Sequence, residues 1–220
     1  MRSEVSPKRV RVYAGGQLVA DSHAPVLVWE IPYYPTYYLP DADVLAALKP
    51  AADDTYDVVA GSVVVPGAAR RMDDLVRLDF AAMDEWLEED EPIYVHPRDP
   101  YKRVDILASS RHIEVRVDGQ TVASSTQPRI LFETGLPPRY YLPLSDVRMD
   151  LLRPSETTTS CPYKGTASYW SVGEHEDIVW IYRTTLPESQ KILGMACFYN
   201  EKVDLYVDGE LRERPKTPFS

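Results

Sequence analysis

The chain has few of the residues that mark several common functions. Its 220 residues include only two cysteines, Cys161 and Cys197. They form no CxxC pair and have no histidine at ligand spacing, which argues against a structural zinc site. A disulfide between them is not the expectation for a protein read as intracellular. Lysine and arginine number 24 against 34 aspartates and glutamates, a net charge of −10. Broad binding to nucleic acid or to an anionic membrane relies on clustered cations and is therefore not expected, although one local basic pocket for a small anion is compatible with this balance. No stretch approaches the run of about 18 apolar residues that would span a bilayer. The opening MRSEVSPKRVRVY lacks an apolar signal-peptide core. The expectation is a cytoplasmic protein with no nucleic-acid or membrane partner.

What the chain does contain is a repeat. Val12 to Val44 reads VYAGGQLVADSHAPVLVWEIPYYPTYYLPDADV, and Val115 to Val147 reads VRVDGQTVASSTQPRILFETGLPPRYYLPLSDV. The two align without a gap, and close to half of the paired residues are identical. A repeat of this length in a chain of this size implies two tandem domains of roughly 100 residues each. The boundary is expected near Ala108-Ser109-Ser110, giving residues 1–108 and 109–220.

Each copy opens with strand signals. Ile113, Val115 and Val117 alternate with polar residues, then Asp118-Gly119 marks a hairpin turn. Val26 to Glu30 and Arg129 to Glu133 read as further strands. The proline- and tyrosine-rich corners Pro35 to Pro40 and Pro138 to Pro143 are not expected to be central strands, because proline fixes φ and removes a donor. Short helices are expected after them, Val44 to Leu48 capped by Asp41 or Asp43, and Val147 to Leu152 capped by Ser145 or Asp146. Met83, Trp86 and Leu87 have helical spacing, and the acidic run Glu88 to Glu91 reads as a solvated helix end. The strand Leu75 to Leu78 aligns with Ile178 to Ile181, and Val104 to Leu107 with Val203 to Tyr206. The expected class is mainly β with short helices.

The differences between the copies locate the candidate site. The second carries Thr157-Thr158-Thr159-Ser160-Cys161-Pro162-Tyr163-Lys164-Gly165, while on the repeat's spacing the first has Val58 for Cys161 and Gly61 or its neighbour for Lys164. Arg139 is replaced by Thr36. A lysine three residues from a cysteine favours the thiolate, so Cys161 is a candidate nucleophile. The plainer reading is a small buried hydrophobe. Lys164 and Arg139 suit a carboxylate or phosphate ligand. Lys164-Gly165 shares two residues with a phosphate-binding loop but lacks that motif's first glycine. Glu133 ends an apolar strand and needs a cation, for which Arg139 is close in sequence. Residues kept in both copies, among them Tyr37 with Tyr140, Tyr38 with Tyr141, and Asp43 with Asp146, are more simply scaffold.

The opening Val117-Asp118-Gly119-Gln120-Thr121-Val122-Ala123, the corner Pro138-Arg139-Tyr140-Tyr141, Asp146-Val147, the stretch Thr159 to Trp170, Gly194, Phe198-Tyr199 and Val203-Asp204 form a specific motif set. It resembles the domain-of-unknown-function family numbered four-hundred-and-twenty-seven, labelled nucleotidyltransferase-like. The resemblance covers nearly the whole chain as two tandem copies, the first lacking the Cys-Pro-Tyr-Lys-Gly element. It implies a β-tent fold, two antiparallel sheets meeting at an angle. Nucleotide transfer normally needs carboxylates that hold Mg²⁺, and the second copy has no Asp-x-Asp pair.

Together these readings place a small-molecule site, for a ligand of anionic character, in the second copy. Arg139 and Lys164 hold the anion, Tyr140, Tyr163 and Tyr199 shape the walls, Glu133 is an acid/base group or orients Arg139, and Cys161 lines the site or attacks the ligand. No cofactor or metal is called for. The alternatives are a protein-interaction module without catalysis and a nucleotidyltransferase-like enzyme.

Overall fold

The computed structural model describes residues 2–220 and divides the chain into two compact units, Met1–Asp99 and Pro100–Ser220. The first unit contains β1 (Arg2–Val5), β2 (Val10–Ala14), β3 (Gln17–Ser22), β4 (Val26–Trp29), β5 (Thr36–Pro40), β6 (Ala47–Pro50), β7 (Tyr56–Ala60), β8 (Val63–Met72), β9 (Leu75–Leu78), β10 (Glu85–Glu88) and β11 (Glu91–Ile93). The second contains β12 (Val104–Ala108), β13 (Ile113–Val117), β14 (Gln120–Ser125), β15 (Arg129–Glu133), β16 (Arg139–Leu142), β17 (Leu152–Cys161), β18 (Gly165–Val172), β19 (His175–Thr185), β20 (Ala196–Phe198), β21 (Asp204–Val207) and β22 (Glu210–Leu211).

In each unit these strands make two antiparallel sheets with the same order. The seven-stranded sheets run β1-β4-β5-β9-β8-β7-β6 and β12-β15-β16-β20-β19-β18-β17. The four-stranded sheets run β11-β10-β2-β3 and, read in the matching direction, β22-β21-β13-β14. The fold is thus mainly β, and the helices are short 3₁₀ turns. No helix among the described residues is long and apolar enough to cross a membrane.

The hairpins follow from alternation and turn chemistry. In β13 the side chains of Ile113, Val115 and Val117 are buried while Glu114 and Arg116 are only half-buried. Asp118 and Gly119 both take positive φ, 49° and 79°, which a two-residue turn with the sheet's twist requires.

Several expectations need correcting. The repeat boundary falls between Asp99 and Pro100, not after Ala108, because β12 pairs along its length with β15 and opens the second unit. By topology β12 therefore corresponds to β1, and β21 to β10. In the same way β9 corresponds to β20, not to the Ile178–Ile181 part of β19. The tyrosine corners are interior strands, β5 and β16. Their prolines sit only at or beyond the strand ends, so the tyrosine amides remain free to donate. No α-helix follows them among the described residues, although a 3₁₀ turn, Met149–Leu151, lies within the expected second span. Asp41–Asp43 and Leu144–Asp146 are single 3₁₀ turns without side-chain caps, and the next residues, Val44 and Val147, are extended. Phe80–Ala82 is a further 3₁₀ turn, capped by the Asp79 side chain, after which Trp86 is buried on strand β10. The acidic run is the β10–β11 turn, with Glu88 buried against Lys8 and the Tyr37 hydroxyl.

The alignment of the Cys161 loop also changes. Hairpin β17–β18 pairs Leu152 with Val172 at its base and Cys161 with Gly165 at its tip. Hairpin β6–β7 is shorter and ends at the turn between Pro50 and Tyr56. The counterpart of the Cys161–Gly165 tip is that turn, not Val58 and Gly61. Gly61 lies instead in the β7–β8 turn, the place Gly173 holds between β18 and β19. The first copy has lost the tip by shortening of its hairpin, not by residue-for-residue replacement. The second unit further inserts a 3₁₀ segment, Pro187–Ile192, between β19 and β20.

Among the described residues the first unit has one apolar cluster, built on Val10, Val12, Leu39, Val76, Leu78 and Trp86. The second has two, on opposite faces of its large sheet. One, with Val115, Leu142, Val179, Ile181 and Phe198, packs between the sheets. The other carries Leu131, Tyr141, Tyr169, Trp180, Tyr182 and Cys197.

Gly165 closes the long hairpin at φ +110°, and a Cβ there would lie 2.8 Å from the Thr184 carbonyl oxygen. Gly165→Ala is therefore expected to destabilise by about 2–3 kcal/mol in urea unfolding. Gly173→Ala, at φ +55° with open space around it, should lose about 1 kcal/mol.

Candidate functional site

The residues peculiar to the second copy gather on the outer, aromatic face of its seven-stranded sheet. Strand alternation decides which side chains reach that face. On β16, Arg139 and Tyr141 point toward the cluster containing Leu131 and Trp180, while Tyr140 and Leu142 point toward the core between the sheets. Tyr140 instead lines a separate cleft of about 170 Å³ with Pro138, Asn200 and Leu205. It is thus separated from the other predicted residues, and Tyr141, one residue on, stands in the place foreseen for it.

Lys164 sits at the tip of the β17–β18 hairpin with its side chain only 11% exposed. Its ammonium donates to Glu133 Oε2 at 2.6 Å, and Glu133, at the end of β15, is equally buried. Cys161 Sγ lies 3.7 Å from the same ammonium. Two of the predicted residues therefore flank a third. The expected pairing of Glu133 with Arg139 is replaced by this one, since the hairpin tip brings Lys164 to the carboxylate first.

Arg139 meets Glu201, a residue that sequence reasoning missed. The guanidinium makes two parallel hydrogen bonds, Nη1 to Oε2 and Nη2 to Oε1, both at 2.7 Å. The Glu201 side chain is fully buried, and the Thr217 hydroxyl donates to it at 2.6 Å. Three rings surround the guanidinium, with centroids 5.6 Å (Trp180), 5.8 Å (Tyr199) and 5.9 Å (Phe219) away. Both predicted cations thus already hold a carboxylate.

Hydroxyls on the same face bond to one another. The Tyr169 hydroxyl lies 2.8 Å from Thr159 Oγ1 and 3.4 Å from the Tyr199 hydroxyl. The Trp180 indole donates to the Tyr141 hydroxyl at 3.1 Å. Tyr163 holds the hairpin tip through its backbone, its carbonyl accepting from the Ser189 hydroxyl of the inserted 3₁₀ segment. Tyr141 was read from sequence as scaffold, and Tyr169, Trp180 and Tyr182 were not singled out. The signal that could have found Trp180 and Tyr182 is their alternation along β19, whereas in β18 the adjacent Tyr169 and Trp170 face opposite clusters and carry no such signal.

Burial sets the electrostatics. For Glu201, burial pushes the carboxyl up, but the hydrogen bonds from Arg139 and Thr217 more than reverse it, leaving it below its usual 4.5. Burial likewise disfavours the charge on Arg139, and Glu201 offsets this so that its pKa ends above the ordinary value. Cys197 is fully buried and its thiol is pushed up to about 12, so it is no thiolate near neutrality. Burial first, then Cys161 and Tyr169, raise Tyr182 well above the usual phenol value. Both cysteines are free.

Removing one partner of a buried ion pair strands the other charge. Glu201→Gln should therefore lower stability by about 3–5 kcal/mol at neutral pH. A carboxyl depressed in the folded state contributes stability above its unfolded pKa and loses it as pH falls through the folded value. The gap in melting temperature between wild type and Glu201→Gln should hold above pH 4.5 and narrow below it.

No curated protein matches the chain. The family model described as "Domain of unknown function (DUF427)" matches residues 2–64 and 105–209. Those segments lie one in each unit, and the second begins within β12, in keeping with that strand's place at the start of the second sheet. The chain therefore belongs to this family of unknown function and carries its domain in two tandem copies.

Proposed function

We propose that the second unit is a small-molecule domain for an anionic ligand, taken up on its aromatic face at Lys164. The observation that supports this most is the Glu133–Lys164–Cys161 group. A buried ion pair contributes little stability relative to apolar residues of similar size. The long hairpin nevertheless delivers one to a sheet face otherwise lined by aromatic rings. Local choices that work against simple packing concentrate at functional sites.

In this reading an incoming carboxylate or phosphate competes with Glu133 for the Lys164 ammonium. Glu133, displaced, becomes available to hold or move a proton. Cys161 lines the site beside Lys164, and Tyr163 and Tyr199 belong to its walls. Arg139 has both arms on Glu201, so its role shifts from anion ligand to support of the wall formed by Trp180 and Tyr199. The working compartment is the cytoplasm, which would keep Cys161 and Cys197 as thiols.

The test is a thermal-shift screen of metabolites against wild type, Lys164→Met and, as an exposed control, Lys49→Met. A ligand present at a hundred times its Kd adds about 2.7 kcal/mol. The expected outcome is that an anionic metabolite stabilises wild type and Lys49→Met alike, with Lys164→Met weakening its affinity by about tenfold or more. Equal stabilisation of all three proteins would place the site elsewhere. Stabilisation only by nucleotide with Mg²⁺ would replace this reading with nucleotide transfer.

A further inference from the structure

The two units share a row of sheet positions whose side chains differ completely. In the second unit the row across β16, β20 and β19 reads Tyr141, Cys197, Trp180, successive residues being direct cross-strand partners. The matching row across β5, β9 and β8 of the first unit reads Tyr38, Arg77, Arg70. Where the second unit fills the face with an indole and a thiol, the first sets two guanidinium groups directly opposite each other. Beside them β8 has only small side chains, Gly67, Ala68 and Ala69. The result is an open cavity of about 430 Å³ lined by Glu30, Gly67, Ala68, Ala69, Arg70, Arg77 and Asp79. Small-molecule sites commonly have volumes of this order.

The charges lining the cavity are unevenly satisfied. Glu30 accepts from the Tyr38 hydroxyl at 2.5 Å and has Arg77 Nε at 3.0 Å. Asp79 accepts from the Ala81 amide, capping the following 3₁₀ turn. Both carboxylates are thus already engaged. Arg77 Nε is close to Glu30 but badly aligned with it, and this buried N–H lacks a hydrogen bond. The Arg70 side chain makes no hydrogen bond or ion pair among the described residues. Like charges directly opposite across a strand pair destabilise it, and a buried donor left without an acceptor is a further cost. One oxyanion between the guanidinium groups would relieve both. Tyr38 reports on their closeness. Burial and Glu30 push its hydroxyl up to about 12, while Arg77 and Arg70 pull it down.

We infer that the first unit carries an oxyanion site of its own, formed by Arg70 and Arg77 in this cavity, for a small carboxylate- or phosphate-bearing molecule. The planar fork of arginine suits both groups through paired hydrogen bonds. The site is independent of the one proposed in the second unit and uses none of its residues. The first copy, which lost the Cys-Pro-Tyr-Lys-Gly tip, is then a second binding domain with different chemistry.

The experiment is titration of the full chain with inorganic phosphate, and separately with acetate, at constant ionic strength maintained with chloride, followed by amide NMR shifts. Saturable shifts are expected at Gly67, Ala68, Ala69 and Arg77 with at least one of the two anions. Arg70→Gln, a change at an exposed side chain, should raise the apparent Kd by about tenfold or more. The exposed Arg148→Gln of the second unit should titrate like wild type. A response to acetate alone assigns a carboxylate ligand, and one to phosphate alone a phosphate monoester. Shifts that never saturate with either anion, or an Arg70→Gln protein that titrates like wild type, overturn the inference.

Discussion

The second unit is organised around the bidentate contact between Arg139 and Glu201. Arg139 begins β16, and Glu201 follows β20, its neighbour in the sheet. The pair therefore closes that strand pair at its end. It also anchors the chain's final residues, because Thr217 donates to the same carboxylate and Phe219 lies beside the same guanidinium. With Glu201 fully buried, the charge is tolerable only while both arms of the arginine are in place. Trp180 and Tyr199 are held against a group that has no freedom to rotate away.

The two copies show how one β framework can keep its inner face and rewrite its outer one. Inward-facing positions stay apolar in both, as at Leu39 and Leu142 or Val76 and Ala196. The outward row is arginine-rich in one unit and aromatic in the other. That freedom has a simple origin. The core between two sheets must be filled at close to crystal density, whereas the outer face of a sheet can be left concave, filled by rings, or capped by a hairpin tip. The conserved glutamate illustrates it. Glu30 meets Arg77 from β9, while Glu133 meets Lys164 from a hairpin the first unit has trimmed.

Much of the framework was legible in the residues. The alternation of Ile113, Val115 and Val117 and the Asp118-Gly119 turn define a hairpin by local chemistry alone. Lys164 and Cys161 were singled out by comparing copies, Glu133 by its place at the end of an apolar strand, and the three lie together. What could not be read was anything decided by tertiary pairing. The tyrosine corners looked like loops because proline was weighed without knowing that it falls at strand ends. Glu201 was missed because its partner lies far back in the chain, at Arg139, and nothing local marks a carboxylate that will be buried. Ungapped spacing placed Cys161 opposite Val58, since spacing carries no information on where a hairpin has been shortened. The cationic row in the first unit was invisible for the same reason, as Arg70 and Arg77 become neighbours only through strand pairing.

The tyrosine doublet of β16 carries one more implication. Tyr140 and Tyr141 are chemically identical, yet they face opposite sides of the sheet. A strand displaced by one residue would present a tyrosine to each side as before, so the doublet by itself cannot choose between the two settings. The residues around it can. Displacement would drive the Arg139 guanidinium into the apolar layer between the sheets and turn Leu142 outward, and a one-residue change inverts every side chain on the strand. The arginine is thus what tells the two tyrosines apart, and through them it determines which ring stands beside Trp180.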